Sequence, residues 1–393
     1  MQQGILTINA GSSSIKFALF PLAHPILAVA EVSGQIDGIG AEETKLVAKN
    51  RGGKTIADEI LGSKRISHDQ SFDALLKWFT ASHQDWEIVA VGHRVVHGGD
   101  HYSQPIVIDP HVLEKLTSYI PLAPLHQPHN VAGIRALQAL LPSVPQIACF
   151  DTAFHRSQPD VAQIFGLPRS ITAEGVKRYG FHGLSYEYIA RALPQHSRRA
   201  EGRVIVAHLG NGASMAAMVN RKCVATTLGF STIDGLVMGT RVGNLDPGVI
   251  LHLMETKGLS VKEMTRMLYK ESGLLGVSGI SQDMRTLLSS DKPEAQEAVN
   301  LFCYRIAREL GSLAAAAGGL DALVFTGGIG EHAAEVRRRV CLQSEWLGIR
   351  LNPEANARHD LHIAAGNSSV DVLVIPTNEE WMMAHHAQTL LAL

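Results

Sequence analysis

Three short glycine-rich loops, each directly after an apolar run typical of a β-strand, constrain this chain more than any other feature. They lie within Ile8–Ser14, His208–Ser214 and Thr326–Glu331. Glycine lets backbone N–H groups approach a bulky anion, and serine and asparagine add side-chain donors. None of the loops matches the G-x-x-x-x-G-K-[ST] or G-x-G-x-x-G pattern. One such loop is usually a turn, but three together indicate a nucleotide site assembled from both halves of the chain.

Length, charge and cysteine usage exclude several classes of protein. A chain of 393 residues, 46% of them hydrophobic, predicts two globular domains. The formal net charge of −2 argues against nucleic acid or an anionic membrane as a partner. Four cysteines without a C-x-x-C pair predict buried thiols in a reducing cytoplasm. We expect neither a signal peptide nor a membrane span.

Short apolar segments alternate with segments of helical period, which predicts α/β layers. The predicted strands are Ile5–Asn9, Ile15–Leu19, Ile26–Val32, Ile88–Val91, Gln146–Phe150, Val204–His208, Ala213–Val219, Ala322–Thr326 and Asp371–Ile375. The predicted helices include Ser71–Phe79, Val131–Leu141, Ser185–Ala192, Pro247–Glu255 and Glu294–Ala317. We place the domains at 1–150 and 151–377, with a last helix, 378–393, that folds back on the first domain.

The first two glycine loops have similar settings. Each follows four or five apolar residues and runs into another apolar strand, and the two lie about half a chain apart. This pattern indicates a duplicated domain.

Two arginines lie among apolar residues and glycines and therefore need anionic partners. Arg94 lies within His93–Gly99, and Arg241 lies within Gly239–Gly243. The guanidinium plane suits a carboxylate or a phosphate, and a structural salt bridge is an equally good interpretation. His93 and His97 would be about 13 Å apart on a strand, too far to share a metal ion.

Three further side chains could take part in chemistry. Asp151 follows an apolar run, where it could cap a turn, contact magnesium or accept a proton. His182 lies between glycines and could be a core residue or a donor to a transferring group. Glu379 could favour the start of a helix, or contact Mg²⁺ through water.

These parts fit phosphoryl transfer, which needs phosphate positioning, a metal and positive charge on the moving group. Two other hypotheses stay open. A sugar or polyol kinase would need Asp151 as a true base. A nucleotide-gated binding protein would have no use for two arginines at the reacting end.

The order of these motifs resembles the acetokinase family of short-chain acyl kinases, and the resemblance covers essentially the whole chain. The matching stretches are Ile8–Phe17, His93–Gly99, Ala123–His126, Phe150–His155, Tyr179–Gly183, His208–Ser214, Met238–Arg241, Ser272–Gly279, Phe325–Glu331 and Pro376–Glu380.

The resemblance implies an α/β fold with two similar domains of the actin, sugar-kinase and Hsp70 type, with the nucleotide in the cleft between them. It implies Mg²⁺-dependent, reversible transfer of the γ-phosphoryl group of ATP to a short-chain carboxylate, with ADP as the other product. Acetate is the expected acceptor, propionate and butyrate are the alternatives, and Mn²⁺ is a substitute metal. The family also implies a homodimer.

Site residues follow from the resemblance by matching position. Asn9 and Glu379 would bind Mg²⁺, and Arg94 would hold the substrate carboxylate. Asp151 would be the catalytic acid or base, although orienting the metal or an arginine is an equal alternative, and His182 and Arg241 would stabilise the transition state. The acyl pocket would be formed by Val96, Leu125, Phe181 and Thr232. The nucleotide and its phosphates would contact Ser12, Ser14, Lys16, His208, Leu209, Gly210, Asn211, Gly212, Asp283, Met284, Arg285, Gly328, Ile329, Gly330, Glu331 and His332.

The chain departs from the family pattern around the substrate and the nucleotide. Thr232 replaces a proline that contacts the acyl group, and Tyr186 replaces a histidine after the Gly-Thr-Ser pattern. Other departures include Ala225, Val242, Asn244 and His332. We expect them to affect the preferred acid and nucleotide rather than the type of reaction.

Overall fold

The computed structural model describes residues 1–62 and 65–393, which form two compact units. Unit 1 consists of Met1–Ala153 and Asn378–Leu393, and unit 2 consists of Phe154–Thr377. Asp151 therefore belongs to unit 1. Among the described residues, no helix is both long and apolar enough to cross a membrane.

Unit 1 is built on an eight-stranded mixed sheet in the order β5-β4-β3-β2-β1-β6-β8-β7. Its first five strands form an antiparallel meander, and β6 and β8 continue the sheet parallel to β1. The strands are β1 (Gln2–Ala10), β2 (Ser14–Pro21), β3 (Val32–Asp37), β4 (Thr44–Asn50), β5 (Thr55–Gly62), β6 (Trp86–Val95), β7 (Ile106–Val107) and β8 (Gln146–Phe150).

Four helices of the described part of unit 1 cover this sheet. They are α1 (His68–Ser82), α2 (Pro110–Ser118), α3 (Gln127–Leu140) and the C-terminal helix α15 (Glu379–Leu391). Ser67 starts α1 with a capping box to Gln70, and the Asn378 side chain accepts from the Trp381 N–H at the start of α15. At Gly92 a Cβ atom would lie 3.1 Å from the Met383 carbonyl, so glycine lets α15 approach β6 closely.

Unit 2 contains a five-stranded sheet in the order β11-β10-β9-β12-β13. The strands are β9 (Arg203–Leu209), β10 (Ala213–Val219), β11 (Lys222–Thr226), β12 (Ala322–Thr326) and β13 (Asp371–Val374). Strands β9 and β12 are fully buried in their central residues, as expected for a sheet covered on both faces.

The helices of unit 2 are mostly short, except for one of 25 residues that packs against the sheet. They are α4 (Asp160–Gln163), α5 (Arg169–Ala173), α6 (Gly183–Ala192), α7 (Pro247–Lys257), α8 (Val261–Lys270), α9 (Gly273–Ser278), α10 (Met284–Leu288), α11 (Pro293–Ala317), α12 (Gly327–His332), α13 (Ala334–Gln343) and α14 (Pro353–Ala357). Single 3₁₀ turns occur at Ile120–Leu122, Ala153–Ser157, Leu193–Gln195 and Glu345–Leu347.

The two units share one local arrangement. In unit 1 a glycine turn joins the antiparallel pair β1 and β2, and β1 pairs in parallel with β6. In unit 2 a glycine turn joins β9 and β10, and β9 pairs in parallel with β12. The fold class predicted from the sequence, α/β with two similar domains, agrees with the mixed sheet in each unit.

One predicted strand is wrong. Residues Ile26 to Glu31 form a loop, and β3 begins only at Val32. The carbonyls of Ile26 and Ala28 accept from side chains of Trp381 and Asn378 instead of from a neighbouring strand. The apolar residues of this segment therefore reflect packing beside α15 rather than a place in the sheet.

Candidate active site

Arg94, Asp151 and Asn9 lie together in unit 1, at the carboxyl ends of three neighbouring strands. Strand β6 pairs with β8 so that Arg94 lies opposite Cys149, and β1 pairs with the other side of β6. Arg94 Nε lies 3.0 Å from Asp151 Oδ1, and Arg94 Nη2 lies 2.5 Å from Asp151 Oδ2. Arg94 Nη1 donates to Asn9 Oδ1 over 3.1 Å. The topology of the sheet thus brings together three residues that are far apart in the sequence.

The Arg94–Asp151 pair is largely shielded from water. The Asp151 side chain is 1% exposed and that of Arg94 is 20% exposed. Burial alone would lower the pKa of Arg94, but the charge of Asp151 and its hydrogen bonds raise it above the usual value. A guanidinium has five N–H groups, and three are engaged by Asp151 and Asn9. Within the described residues the other two have no partner, so they could receive a carboxylate.

Asn9 and Glu379 present oxygen atoms of the kind that magnesium prefers. Burial, together with Asp151 and Glu380, raises the pKa of Glu379 to about 7, against the opposing effects of Arg94 and Lys16. A nearby divalent cation would favour the ionised carboxylate at this position. Magnesium takes few protein ligands and keeps water and phosphate oxygens around it, so an amide and a carboxylate fit this metal.

The Gly11 turn, which contains Ser12 and joins β1 to β2, is held by side chains from two helices. The Asn130 side chain donates to the carbonyl of Ala10 over 2.9 Å. His68 Nε2 lies 2.7 Å from the Gly11 carbonyl oxygen, so this nitrogen must carry a hydrogen. Both carbonyls are thereby occupied inside the protein, and Ser12 is exposed on the turn.

Lys16 and Ser14 lie on β2 directly after this turn. Lys16 is exposed and lines a surface cavity of about 650 Å³ together with Lys49 and Glu380. Ser14 is half-buried, and its backbone carbonyl accepts from the Gly11 N–H.

His182 is the most constrained of the predicted site residues in unit 2. It precedes α6 in a left-handed conformation, with φ of 59°, which costs a non-glycine residue about 1–3 kcal/mol. Its Nδ1 lies 2.8 Å from Ser214 Oγ, and its ring stacks on His208 with centroids 4.4 Å apart. His208 Nδ1 is in turn 2.8 Å from Ser185 Oγ. The imidazole of His182 is therefore fixed in position and orientation.

Arg241 and His182 both flank Gly212 in the second glycine loop. A Cβ atom at Gly212 would lie 3.3 Å from His182 Nε2 and 3.9 Å from Arg241 Nη1. Arg241 also donates to the Thr232 carbonyl over 3.0 Å. A glycine here leaves space beside both side chains, so a phosphate group there would lie next to the imidazole of His182 and the guanidinium of Arg241.

The turn that carries Arg241 is fixed by its backbone. The N–H of Gly239 donates to the Asn211 carbonyl, and the N–H of Met238 donates to the Arg241 carbonyl. Gly273, with φ of 66°, packs against this turn, where a Cβ atom would come within 2.8 Å of the Arg241 carbonyl. The guanidinium thus projects from a rigid turn.

A cavity of about 460 Å³ in unit 2 gathers eight of the sixteen residues predicted to contact the nucleotide and its phosphates. It is lined by Gly210, Asn211, Gln282, Asp283, Met284, Arg285, Leu288, Gly328, Ile329, His332 and Ala333. Ile329, Met284 and Leu288 give it apolar walls, while the glycines at 210 and 328 expose backbone. This combination suits a heterocyclic base with an attached polar group.

Other predicted nucleotide residues lie outside the lining of this cavity. Leu209 is fully buried in the core, and Gly330 is buried. Glu331 Oε1 accepts from the Gly327 N–H over 2.8 Å and from the Thr377 N–H over 3.3 Å. The Glu331 carboxylate therefore stabilises the third glycine loop. His208 and Gly212 lie beside His182 instead.

The predicted acyl-pocket residues are distributed over both units. In unit 1 Val96 is buried and Leu125 is exposed, and in unit 2 Phe181 is buried and Thr232 is half-buried. Thr232 is linked to Arg241 through its carbonyl, so this departure from the family pattern lies directly beside the arginine.

His93 and His97 do not point to a shared site. His93 Nε2 lies 2.7 Å from Gln146 Oε1, and burial lowers the pKa of His93 to about 4. His97 Nδ1 accepts from the Gly99 N–H over 2.9 Å. Both imidazoles therefore serve local structure.

Arg337 stabilises the helix that lines the nucleotide cavity and was not found from the sequence. It is fully buried, and burial lowers its pKa to about 10. Its five hydrogen bonds all go to neutral acceptors: the carbonyls of Gly330, Glu331 and Asn356, the Asn356 side chain and His359 Nδ1. These bonds occupy the carbonyls at the end of α12, which otherwise have no partner within the helix.

Sequence reasoning also missed His68, Asn130, Ser214 and Tyr186. Ser214 lies within a glycine loop that was singled out, but its contact with His182 depends on how β9, β10 and α6 pack. His68 and Asn130 come from helices without any motif. Tyr186 was noted only as a departure from the family pattern, with an expected effect on the preferred acid and nucleotide.

Comparison with known proteins gives a consistent result. A family model described as the acetokinase family matches residues 4–385. The acetate kinase of Rhodopseudomonas palustris (strain ATCC BAA-98 / CGA009) is 54% identical over 395 residues, which is 98% of each chain. Among solved structures, a propionate kinase from Francisella tularensis has a TM-score of 0.91 at 38% identity, covering 98% of this chain and 99% of its own. Porphyromonas gingivalis acetate kinase has a TM-score of 0.89 at 36% identity, covering 99% of this chain and 100% of its own.

Proposed function

This chain belongs to the acetokinase family, and from that premise we propose that it is an acetate kinase. The reaction transfers the γ-phosphoryl group of ATP to acetate, forms acetyl phosphate and ADP, and is reversible. The observation that carries this proposal is the 54% identity to an acetate kinase over nearly the full length of both chains.

Positive charge is the main requirement of this reaction. Acetate already carries a negative charge, so it needs no strong base to become a nucleophile, but it must approach a polyphosphate of the same sign. In our proposal Arg94 holds the acetate carboxylate with its two remaining N–H groups. His182 and Arg241 donate to the phosphoryl oxygens as charge spreads over them in the transition state.

Asp151 has an orienting role in this proposal. Its carboxylate oxygens are engaged by Arg94, which fixes the plane of the guanidinium. A sugar kinase would need the same carboxylate to accept a proton from a hydroxyl group. The geometry of the pair therefore supports a carboxylate substrate over a sugar.

We propose that Asn9 and Glu379 hold Mg²⁺, with Mn²⁺ as a substitute. The metal would neutralise charge on the phosphate oxygens of ATP. Lys16, Ser12 and Ser14 would contact the phosphates from unit 1, and the cavity of unit 2 would bind the nucleoside of ATP or ADP. Four buried free cysteines fit a reducing cytoplasm, where we place the protein.

A panel of short carboxylates tests the activity and the preferred acid. With ATP, Mg²⁺ and hydroxylamine, we expect acetyl hydroxamate from acetate and a kcat/KM about tenfold lower for propionate, since one methylene in an apolar pocket changes the rate by about that factor or more. Colorimetric detection of the hydroxamate and coupled release of ADP measure both steps. Glucose serves as the control acceptor and should release no ADP.

Two results would contradict these assignments. The absence of product with acetate, propionate and butyrate would remove the acyl kinase proposal. A higher kcat/KM for propionate than for acetate would make this chain a propionate kinase, the activity of the Francisella relative.

We also propose a homodimer that forms through α7. This helix contains Val249, Ile250, Leu251 and Leu253, yet none of its residues, all within the described part of the chain, is buried. Leu251 is 62% exposed. Because the family resemblance implies a homodimer, we propose that a second copy of the chain covers these apolar residues of α7.

Light scattering after size-exclusion chromatography tests the dimer. We expect the wild type at twice the 42.4 kDa of one chain, and Leu251→Glu at the monomer mass because a charge on this face opposes its burial. Leu140→Glu, at an exposed leucine of α3 in unit 1, is the matched control and should stay dimeric. A monomeric wild type, or a Leu251→Glu variant that stays dimeric, would contradict the proposal.

A further inference from the structure

Tyr186 is a buried polar residue on α6 that no role assigned above uses. Its side chain is fully buried, and its ring lies against those of Phe154, His155 and His208. Its hydroxyl group is within hydrogen-bonding distance of Ser214 Oγ. A buried phenol needs a hydrogen-bond partner for its hydroxyl group, and Ser214 provides one for Tyr186.

Ser214 connects Tyr186 to His182. Its Oγ atom contacts the Tyr186 hydroxyl group and also lies 2.8 Å from His182 Nδ1. Ser214 is itself fully buried on β10. The three side chains therefore form one continuous hydrogen-bonded chain that ends at the imidazole beside Gly212.

If both hydroxyl hydrogens are donated within this chain, the tautomer of His182 is determined. A serine hydroxyl has one hydrogen, so Ser214 can donate to only one of its two neighbours. A phenol is more acidic than an aliphatic alcohol and is the stronger donor. When Tyr186 donates to Ser214, the Ser214 hydrogen goes to His182 Nδ1, and the ring hydrogen of a neutral His182 lies on Nε2.

We propose that Tyr186 is a positioning residue that acts through Ser214 to keep the hydrogen of His182 on Nε2, the atom that faces Gly212. The effect of this tautomer on phosphoryl transfer rests on the proposed function. A phosphoryl oxygen at Gly212 needs a hydrogen-bond donor on Nε2 and would be repelled by a lone pair on that atom. The tautomer itself is a property of the protein alone.

The other contacts of His182 also restrict the orientation of its ring. The residue has a left-handed backbone, and its ring stacks on His208, which Ser185 holds in turn. Stacking sets the plane of the imidazole but leaves both tautomers available. The hydrogen bond from Ser214 is the contact that distinguishes the two ring nitrogens.

Steady-state kinetics of Tyr186→Phe tests the catalytic part of the proposal. We expect kcat to fall about tenfold, less than the roughly 10²–10⁴-fold effect of losing a positioned proton donor, because His182 itself is still present, while the KM values of ATP and acetate change less than twofold. Tyr186→His should recover most of the rate, since an imidazole N–H can donate to Ser214. Tyr188→Phe removes a hydroxyl group from the same helix and should keep the wild-type kcat.

Nitrogen-15 NMR of labelled histidines tests the structural part without substrates, with His182→Asn to assign the signal. We expect Nε2–H in the wild type and a mixture of tautomers in Tyr186→Phe. If that variant does not fold, Ser214→Ala should give the same two results. An inactive wild type would refute the acetate kinase proposal and leave this test valid. A wild type with Nδ1–H, or a Tyr186→Phe variant with unchanged kcat in an active enzyme, would overturn the role of Tyr186.

Discussion

Replacing Arg94 by alanine is expected to lower kcat/KM for acetate by about a thousandfold, because truncating one partner of a buried, hydrogen-bonded charge pair costs about 2–5 kcal/mol. Two N–H groups of Arg94 have no hydrogen-bond partner among residues 1–62 and 65–393, and they are the proposed contacts of the acetate carboxylate. The variant loses these contacts as well as the orientation that Asp151 provides. Most of the loss should be in the KM of acetate, while the KM of ATP changes little. Initial rates over a matrix of both substrate concentrations measure the two effects separately.

The same substitution is expected to destabilise unit 1. Asp151 is 1% exposed, and removing its cation leaves an uncompensated buried carboxylate, which costs about 3–5 kcal/mol. Urea unfolding would measure this loss. Lys45→Ala breaks an exposed ion pair to Asp58 in the same unit and is the control, with little expected change.

A double variant separates folding from chemistry. Arg94→Ala with Asp151→Ala removes both charges, so most of the stability should return while the activity stays low. If the double variant regained activity together with stability, the effect of Arg94 would be structural. An unchanged KM of acetate in Arg94→Ala would likewise contradict its contact with the substrate.

The strands and the longer helices could be predicted because their patterns are local. Gln146–Phe150, Ala213–Val219 and Ala322–Thr326 were predicted with the bounds that the structure has. Ile26–Val32 has the composition of a strand, but two of its carbonyls accept hydrogen bonds from side chains at the start of α15, 350 and 355 residues away in the sequence. Apolar content reports that a segment is buried, and it does not identify what the segment packs against.

The partners of the site residues could not be predicted, since they depend on the register between strands. From the sequence, Arg94 needed an anion, but a substrate and a protein carboxylate were equal candidates. The parallel pairing of β6 with β8 brings it to Asp151, 57 positions away, and leaves two of its N–H groups for a ligand. The motif therefore identified Arg94 as a candidate. The pairing of the strands determines how many of its N–H groups can contact a substrate.

Arg241→Ala is expected to have the opposite kinetic signature, with kcat lower by at least about a thousandfold, the scale of an arginine that stabilises a transferring phosphoryl group. Arg241 projects from a rigid turn beside Gly212 and His182, where charge would develop in the transition state. The KM values of ATP and acetate should stay within about fivefold, because this interaction strengthens only during transfer. Measuring the forward and reverse reactions checks the assignment, since both pass through one transition state.

Stability distinguishes this prediction from a general loss of structure. The hydrogen bond of Arg241 to the Thr232 carbonyl is a partly exposed one, so its loss should cost only about 1 kcal/mol. Arg203→Ala is the matched control in unit 2. It breaks an ion pair with Asp321 at the opposite ends of β9 and β12 from the glycine loops, and it should change stability without changing kcat. A variant Arg241→Ala that retained kcat, or lost it only in proportion to the fraction unfolded, would contradict the role of this arginine. Together with Arg94→Ala it tests whether one guanidinium mainly serves binding of the carboxylate while the other serves the transfer step.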